Sequence, residues 1–128
     1  MNDWTAHRSR RGLQRLHNAT RFSLSGLQDA WRHEPSFRFE VQLFIAAIPL
    51  TFWIGDNIVE YCLLLGSLLI LMLTELLNSS IETLTDRIST EHHELSRRAK
   101  DLGSAAVFLG IMLVLLVWGL LVGAKLFA

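Results

Sequence analysis

Glu75, Asn78, Glu82 and Asp86 stand in and just beyond one apolar run, "LGSLLILMLTELLNSSIETLTDR", Leu65 to Arg87. An ionisable group near the centre of a bilayer costs about 2.5–3.5 kcal/mol on insertion scales, so carboxylates in such a run point to an ion, proton or substrate route. A lone Asn or Ser there more often bonds a neighbouring helix. On a helix turning about 100° per residue, Asn78 lies about 60° to one side of Glu75, Ser79 about 40° to the other, and Glu82 and Asp86 within about 20°. The polar groups therefore form one stripe, with Glu75 roughly 16 Å from Asp86 at 1.5 Å rise per residue. Desolvation suits Glu75 to accept a proton, whereas Glu82, nearer water, suits a hard divalent cation bound through oxygen. Glu34, held at headgroup level by the turn at Pro35, is a second carboxylate for the same ion. Carboxylates that bind Mg²⁺ would in turn attract phosphates.

Three apolar stretches must position these groups: Val41 to Ile54, Tyr61 to Leu77 and Ala105 to Ala124. Crossing a hydrocarbon core about 30 Å thick takes about 20 helical residues, which predicts spans over 37–54, 61–81 and 104–125. Pro49 is expected to bend the first. Upstream, Leu13, Leu16, Thr20, Leu24, Leu27 and Trp31 recur at helical spacing, opposite Arg15, Asn18, Arg21, Ser25, Asp29 and Arg32. That pattern predicts an amphipathic surface helix over 13–34 lying in the membrane interface, preceded by a mobile basic tail over 1–12. Residues 86–101 read as a loop. The expected fold is an all-α membrane protein of one domain, a surface helix plus three transmembrane helices.

With 51% hydrophobic residues among 128 and a formal net charge of zero, the chain has the composition of a small polytopic membrane protein. The N-terminus is polar and arginine-rich, unlike a cleavable signal peptide. Seven Arg precede Val41, none lies between the first two spans, four Lys or Arg lie in 86–101, and only Lys125 follows. By the positive-inside rule the N-terminus and the 86–101 segment are cytoplasmic and the C-terminus lies outside. The lone Cys62 permits no internal disulfide.

Arg97, Arg98 and Lys100, with Arg15 from the surface helix, stand where a nucleotide's phosphates would arrive, although taken alone they serve equally as positive-inside anchors. His92 and His93 lack the spacing of a zinc site. There is no GxxxxGK[ST], HRD or DFG, which excludes a P-loop or a protein-kinase fold. Gly119 and Gly123 form a GxxxG, and Gly103 to Ala106 are small, both of which favour close helix packing.

"ELLNSSIETLTDRI" (Glu75 to Ile88) followed by "EHHELSRRAKDLGSAAV" (Glu91 to Val107), with "GLQDAWRHEPSFRFE" (Gly26 to Glu40) upstream, resembles the prokaryotic integral-membrane diacylglycerol kinases over roughly residues 13 to 120. The resemblance implies a homotrimer in the bacterial inner membrane, with composite sites between subunits. It further implies transfer of the γ-phosphoryl of MgATP to diacylglycerol, giving phosphatidic acid, with a membrane lipid and ATP as substrates and no nucleic acid. Matched residue by residue, Glu75 is implied as general base with Asn78 beside it, and Glu34 and Glu82 as ligands of Mg²⁺. Arg15, Phe22, Glu91, His92, His93, Lys100 and Asp101 fall at nucleotide positions, and Arg15, Trp31, Glu75, Ser104 and Trp118 at lipid positions. Arg97 stands where that motif usually has Gly, Phe22 where an aromatic hydroxyl is frequent and His92 where Tyr is frequent, and all three departures bear on nucleotide contacts. A related polyprenol kinase acting on undecaprenol shares these motifs. An ion-conducting oligomer fits less well, because Tyr61 to Leu73 carries only Ser67 as a polar group after Tyr61 and the stripe does not cross the membrane.

Overall fold

A computed structural model describes residues 12–88 and 90–128, and the structured part of these is entirely helical. Of the expected N-terminal tail, residues 1–11 lie outside the described residues. Four helices follow in order: α1 (Gly12–His33), α2 (Pro35–Ile54), α3 (Ile58–Ile88) and α4 (Glu94–Phe127). They divide into two compact units at the boundary between His33 and Glu34.

The first unit is α1 by itself. Its apolar row is uncovered, with Leu13, Leu16, Leu24, Leu27 and Trp31 all exposed. An amphipathic helix with an exposed apolar row is the form suited to an interface between water and lipid. The helix stops at His33 because proline disfavours helical geometry in the residue before it. Glu34 accordingly adopts an extended backbone (φ −117°, ψ 98°), and Pro35 starts α2, where its missing N–H has no helical partner to lose.

The second unit packs α2, α3 and α4 together. Each is long and apolar enough to cross a membrane. α3 and α4, of 31 and 34 residues, extend well beyond a single hydrocarbon thickness. α2 remains helical through Pro49. Segment 86–101, read from the sequence as a loop, is mostly helix: α3 continues to Ile88 and α4 begins at Glu94. The reason is local. His93 caps α4, its Nδ1 accepting a hydrogen bond from the Leu95 amide at 3.1 Å. Arg97 then pairs with both Glu94 and Asp101 along the helix surface, the i, i+3 and i, i+4 pattern that supports helix.

Inside this unit α2 buries Phe37, Glu40, Ala47, Thr51 and Ile54, while α3 buries Leu64, Ser67, Leu68, Leu71, Glu75, Asn78 and Thr85. On α4 the buried residues are Gly103 and Gly110. Their lack of side chains lets α4 approach α3. A Cβ on Gly103 would run into Asn78 Oδ1, and one on Gly110 would meet Thr74 Oγ1 at 3.0 Å and Leu71 Cδ1 at 3.2 Å. Moving seven residues down α3 and seven up α4 thus restores the same contact, an antiparallel register that holds as far as Trp118, whose Nε1 donates to the Leu64 carbonyl at 3.0 Å.

The turn between α2 and α3 is closed by two side-chain caps. Asn57 Oδ1 accepts from the Glu60 amide at 3.0 Å, and the Glu60 carboxylate accepts from the Asp56 amide at 2.6 Å. The Phe52 and Tyr61 rings lie 5.0 Å apart beside it, and Lys125, near the end of α4, comes 4.0 Å from Asp56. Outside these contacts the three helices present Leu, Ile, Val and Phe to their surroundings, the reverse of a water-soluble surface.

Trp118→Phe keeps the ring and removes the bond to Leu64. A loss of about 1 kcal/mol is expected, read as a lower melting temperature in detergent, and an unchanged melting temperature would contradict the anchoring role.

Candidate functional site

The 3.6-residue period brings Leu71, Glu75, Asn78 and Thr85 onto the buried face of α3, so the carboxylate of Glu75 lies inside the bundle. Glu75 is only 8% exposed and Asn78 9%, whereas Glu82, one turn further on, is half-buried. Asn78 Nδ2 points to Glu82 Oε1 at 3.5 Å, a long contact, and Asn78 Oδ1 is buried with no hydrogen-bond partner among the described residues. The amide must stand this way round, since turning its oxygen towards Glu82 would oppose two acceptors.

α2 supplies two more carboxylates. Glu34, at its N-terminal boundary, is half-buried, and its charge acts on Glu75 together with that of Glu82. Glu40 is 8% exposed, has one oxygen buried without a partner among the described residues, and also faces the charge of Glu75. The sequence pattern alone gave Glu40 no role. A signal was present, because Phe37, Glu40, Ala47, Thr51 and Ile54 recur at helical spacing and so share one face. Glu40 and Glu75 look into a groove of about 650 Å³ between α2 and α4, whose remaining wall is mainly apolar and includes Phe39, Leu43, Val107, Ile111 and Val114.

Glu34, Glu75, Asn78 and Glu82 are therefore brought together within one unit. Among the described residues, no three His, Cys, Asp or Glu side chains form a group able to hold a metal ion. Carboxylates such as Glu34 and Glu82 suit Mg²⁺ better than zinc, because Mg²⁺ is commonly held by one or two carboxylates and completed by water and substrate phosphates.

The residues matched to nucleotide positions divide into two sets. Lys100 bonds Asp86 Oδ1 at 2.6 Å, joining the end of α3 to the start of α4, and Asp101 bonds Arg97 at 2.6 Å. His93 is engaged as the α4 cap, and Glu91 and His92 are exposed on the short connection. Arg15 and Phe22, like the lipid position Trp31, are exposed on α1, in the other unit. Of the lipid positions, Ser104 is exposed next to Gly103, while Trp118 is tied to Leu64, eleven residues or roughly 16 Å along α3 from Glu75. The structure does not bring Trp118 to the carboxylates.

The sequence profile of the family described as "Prokaryotic diacylglycerol kinase" matches residues 21–122, which include every carboxylate of the site. The chain belongs to that family. A diacylglycerol kinase of Haemophilus influenzae is 51% identical over 108 residues, covering 84% of this chain and 92% of the relative. The diacylglycerol kinases of Pseudomonas aeruginosa and Escherichia coli K12 are 42% and 40% identical, over 84% and 86% of this chain and 87% and 90% of their own lengths. The family membership also makes a nucleotide the expected second substrate of the carboxylate site.

Glu40 ends in a buried oxygen without a partner and faces another acid, so Glu40→Met is expected to stabilise the protein. The gain should be about 1–3 kcal/mol at pH 8, measured as a higher melting temperature in detergent with a chelator present. A lower melting temperature would show that the carboxylate is held by favourable contacts.

Proposed function

We propose that the protein is a membrane lipid kinase that transfers the γ-phosphoryl group of MgATP to the hydroxyl of diacylglycerol, giving phosphatidic acid, with Glu75 as general base. The observation that carries this reading is the placement of Glu75: a buried carboxylate at the polar end of an apolar groove, two turns from the half-buried Glu82. A lipid that keeps its acyl chains among apolar side chains and its hydroxyl at the edge of the membrane meets such a base without leaving the bilayer.

Glu75 accepts the proton of the lipid hydroxyl as its oxygen attacks the γ-phosphorus, and ADP leaves. Glu34 and Glu82 hold Mg²⁺, which supplies charge neutralisation for the phosphates when bound. Asn78 steadies Glu82. Lys100 stands within reach of phosphates at this end of the bundle; its exposed pair with Asp86 is worth little, so exchange of Asp86 for a phosphate carries a small penalty. Phosphoryl transfer needs positioning and charge neutralisation more than covalent participation, and this set provides both.

The positive-inside pattern puts the carboxylate end and the N-terminus on the cytoplasmic side, where ATP is found, and the C-terminus on the periplasmic side. The apolar outer faces of α3 and α4 fit lipid tails and, in part, other copies of the chain in a homotrimer.

Purified protein in mixed micelles, given labelled MgATP with diacylglycerol and undecaprenol side by side, is expected to form labelled phosphatidic acid. Labelled polyprenyl phosphate would instead make it an undecaprenol kinase, and no labelled lipid would refute the reading. Glu75→Gln is expected to lower turnover by at least about 100-fold with folding intact, the scale of a lost general base. Glu82→Ala should raise the Mg²⁺ concentration needed for half-maximal rate by tenfold or more, on the order of losing one charged ligand; an unchanged requirement would remove Glu82 from the metal site.

A further inference from the structure

A side chain at Gly103 would force the Asn78 amide to move. Gly103 is buried on the face of α4 that meets α3, and a Cβ built on it would overlap Asn78 Oδ1, with Asn78 Cγ at 3.3 Å and Ile81 Cδ1 at 3.5 Å. Asn78 Oδ1 is one of three buried side-chain oxygens that have no hydrogen-bond partner among the described residues. Its opposite end, Nδ2, points to Glu82 Oε1. The amide is thus lodged between a bare stretch of α4 backbone and a carboxylate, and its orientation depends on both.

We propose that Gly103 is a positioning residue for the phosphoryl-transfer site: by leaving room for Asn78 Oδ1, it keeps Asn78 Nδ2 directed at Glu82 and so holds the Glu82 carboxylate in the orientation that binds the divalent cation. This inference rests on the metal role given to Glu82 above. The chemistry is that of a ligand steadied by a neighbour, where removing the neighbour typically weakens metal affinity by about 10–100-fold. Gly110 is the internal comparison. It makes the equivalent close approach one register step away, against Thr74 and Leu71, where no carboxylate is bonded. A Cβ at Gly110 crowds the same two helices without touching the Asn78 amide.

The test is titration of purified protein in detergent with Mn²⁺ alone, followed by electron paramagnetic resonance, together with melting temperatures. Gly103→Ala is expected to weaken Mn²⁺ binding about tenfold, Asn78→Ala similarly, and the double variant no more than the weaker of the two, while Gly110→Ala stays within about twofold of wild type. Wild-type affinity in Gly103→Ala, with binding weakened in Glu82→Ala, would overturn the positioning role and leave the metal assignment standing. Wild-type affinity in Glu82→Ala as well would overturn both. If Gly103→Ala fails to fold, the double variant decides: removing the Asn78 side chain relieves the overlap, so recovery of folding supports the contact and continued failure overturns it.

Discussion

A carboxylate can persist among membrane-spanning helices only where other helices cover it, and Glu75 imposes that condition on its whole unit. α3 cannot do this alone, because a single helix leaves every side chain exposed to its surroundings. The cover comes from α2, which turns Phe37 and Glu40 inward, and from α4, whose Gly103 and Gly110 allow its backbone close to α3 on either side of Glu75. The contacts with Asn78 and with Leu71 fall three residues after and four before that carboxylate, so the two closest approaches bracket it. Polar chemistry inside an apolar bundle is here a consequence of glycine placement as much as of the acids themselves.

Much of this was legible in the sequence because it follows from one period. The spacing of Glu75, Asn78 and Glu82 fixes a shared face on any straight helix, and the apolar runs are long enough to declare three crossings. Glu40 was missed because its meaning depends on tertiary contact: it is close in sequence to Arg38 and the expected interface, and only the packing of α2 on α3 turns it towards Glu75. The start of α4 was misread for a different reason. Charge and histidine content suggested a loop, yet Glu94, Arg97 and Asp101 are spaced to pair along a helix, and that local pattern prevailed. Trp118 depends on tertiary contact as well. Its indole N–H is used within the protein, on the Leu64 carbonyl, far along α3 from the carboxylates.

The site divides its work by depth. Glu75 and Glu40 face the apolar groove, Glu82 and Glu34 are more open, and Lys100 and Asp101 lie on the exposed first turns of α4. A lipid hydroxyl and a nucleotide approach such a gradient from opposite directions, one from the membrane and one from water, and the carboxylates stand where the two would meet. The family relationship points to a lipid substrate, while the geometry accounts for how a carboxylate can be buried there at all.

The most direct test is a crystal structure of the protein with Mg²⁺, a non-hydrolysable ATP analogue and diacylglycerol. The account predicts the primary hydroxyl of the lipid within hydrogen-bonding distance of a Glu75 carboxylate oxygen, about 2.6–3.2 Å, and in line with the γ-phosphorus. A hydroxyl held away from Glu75, by Glu40 or by any other group, would contradict it.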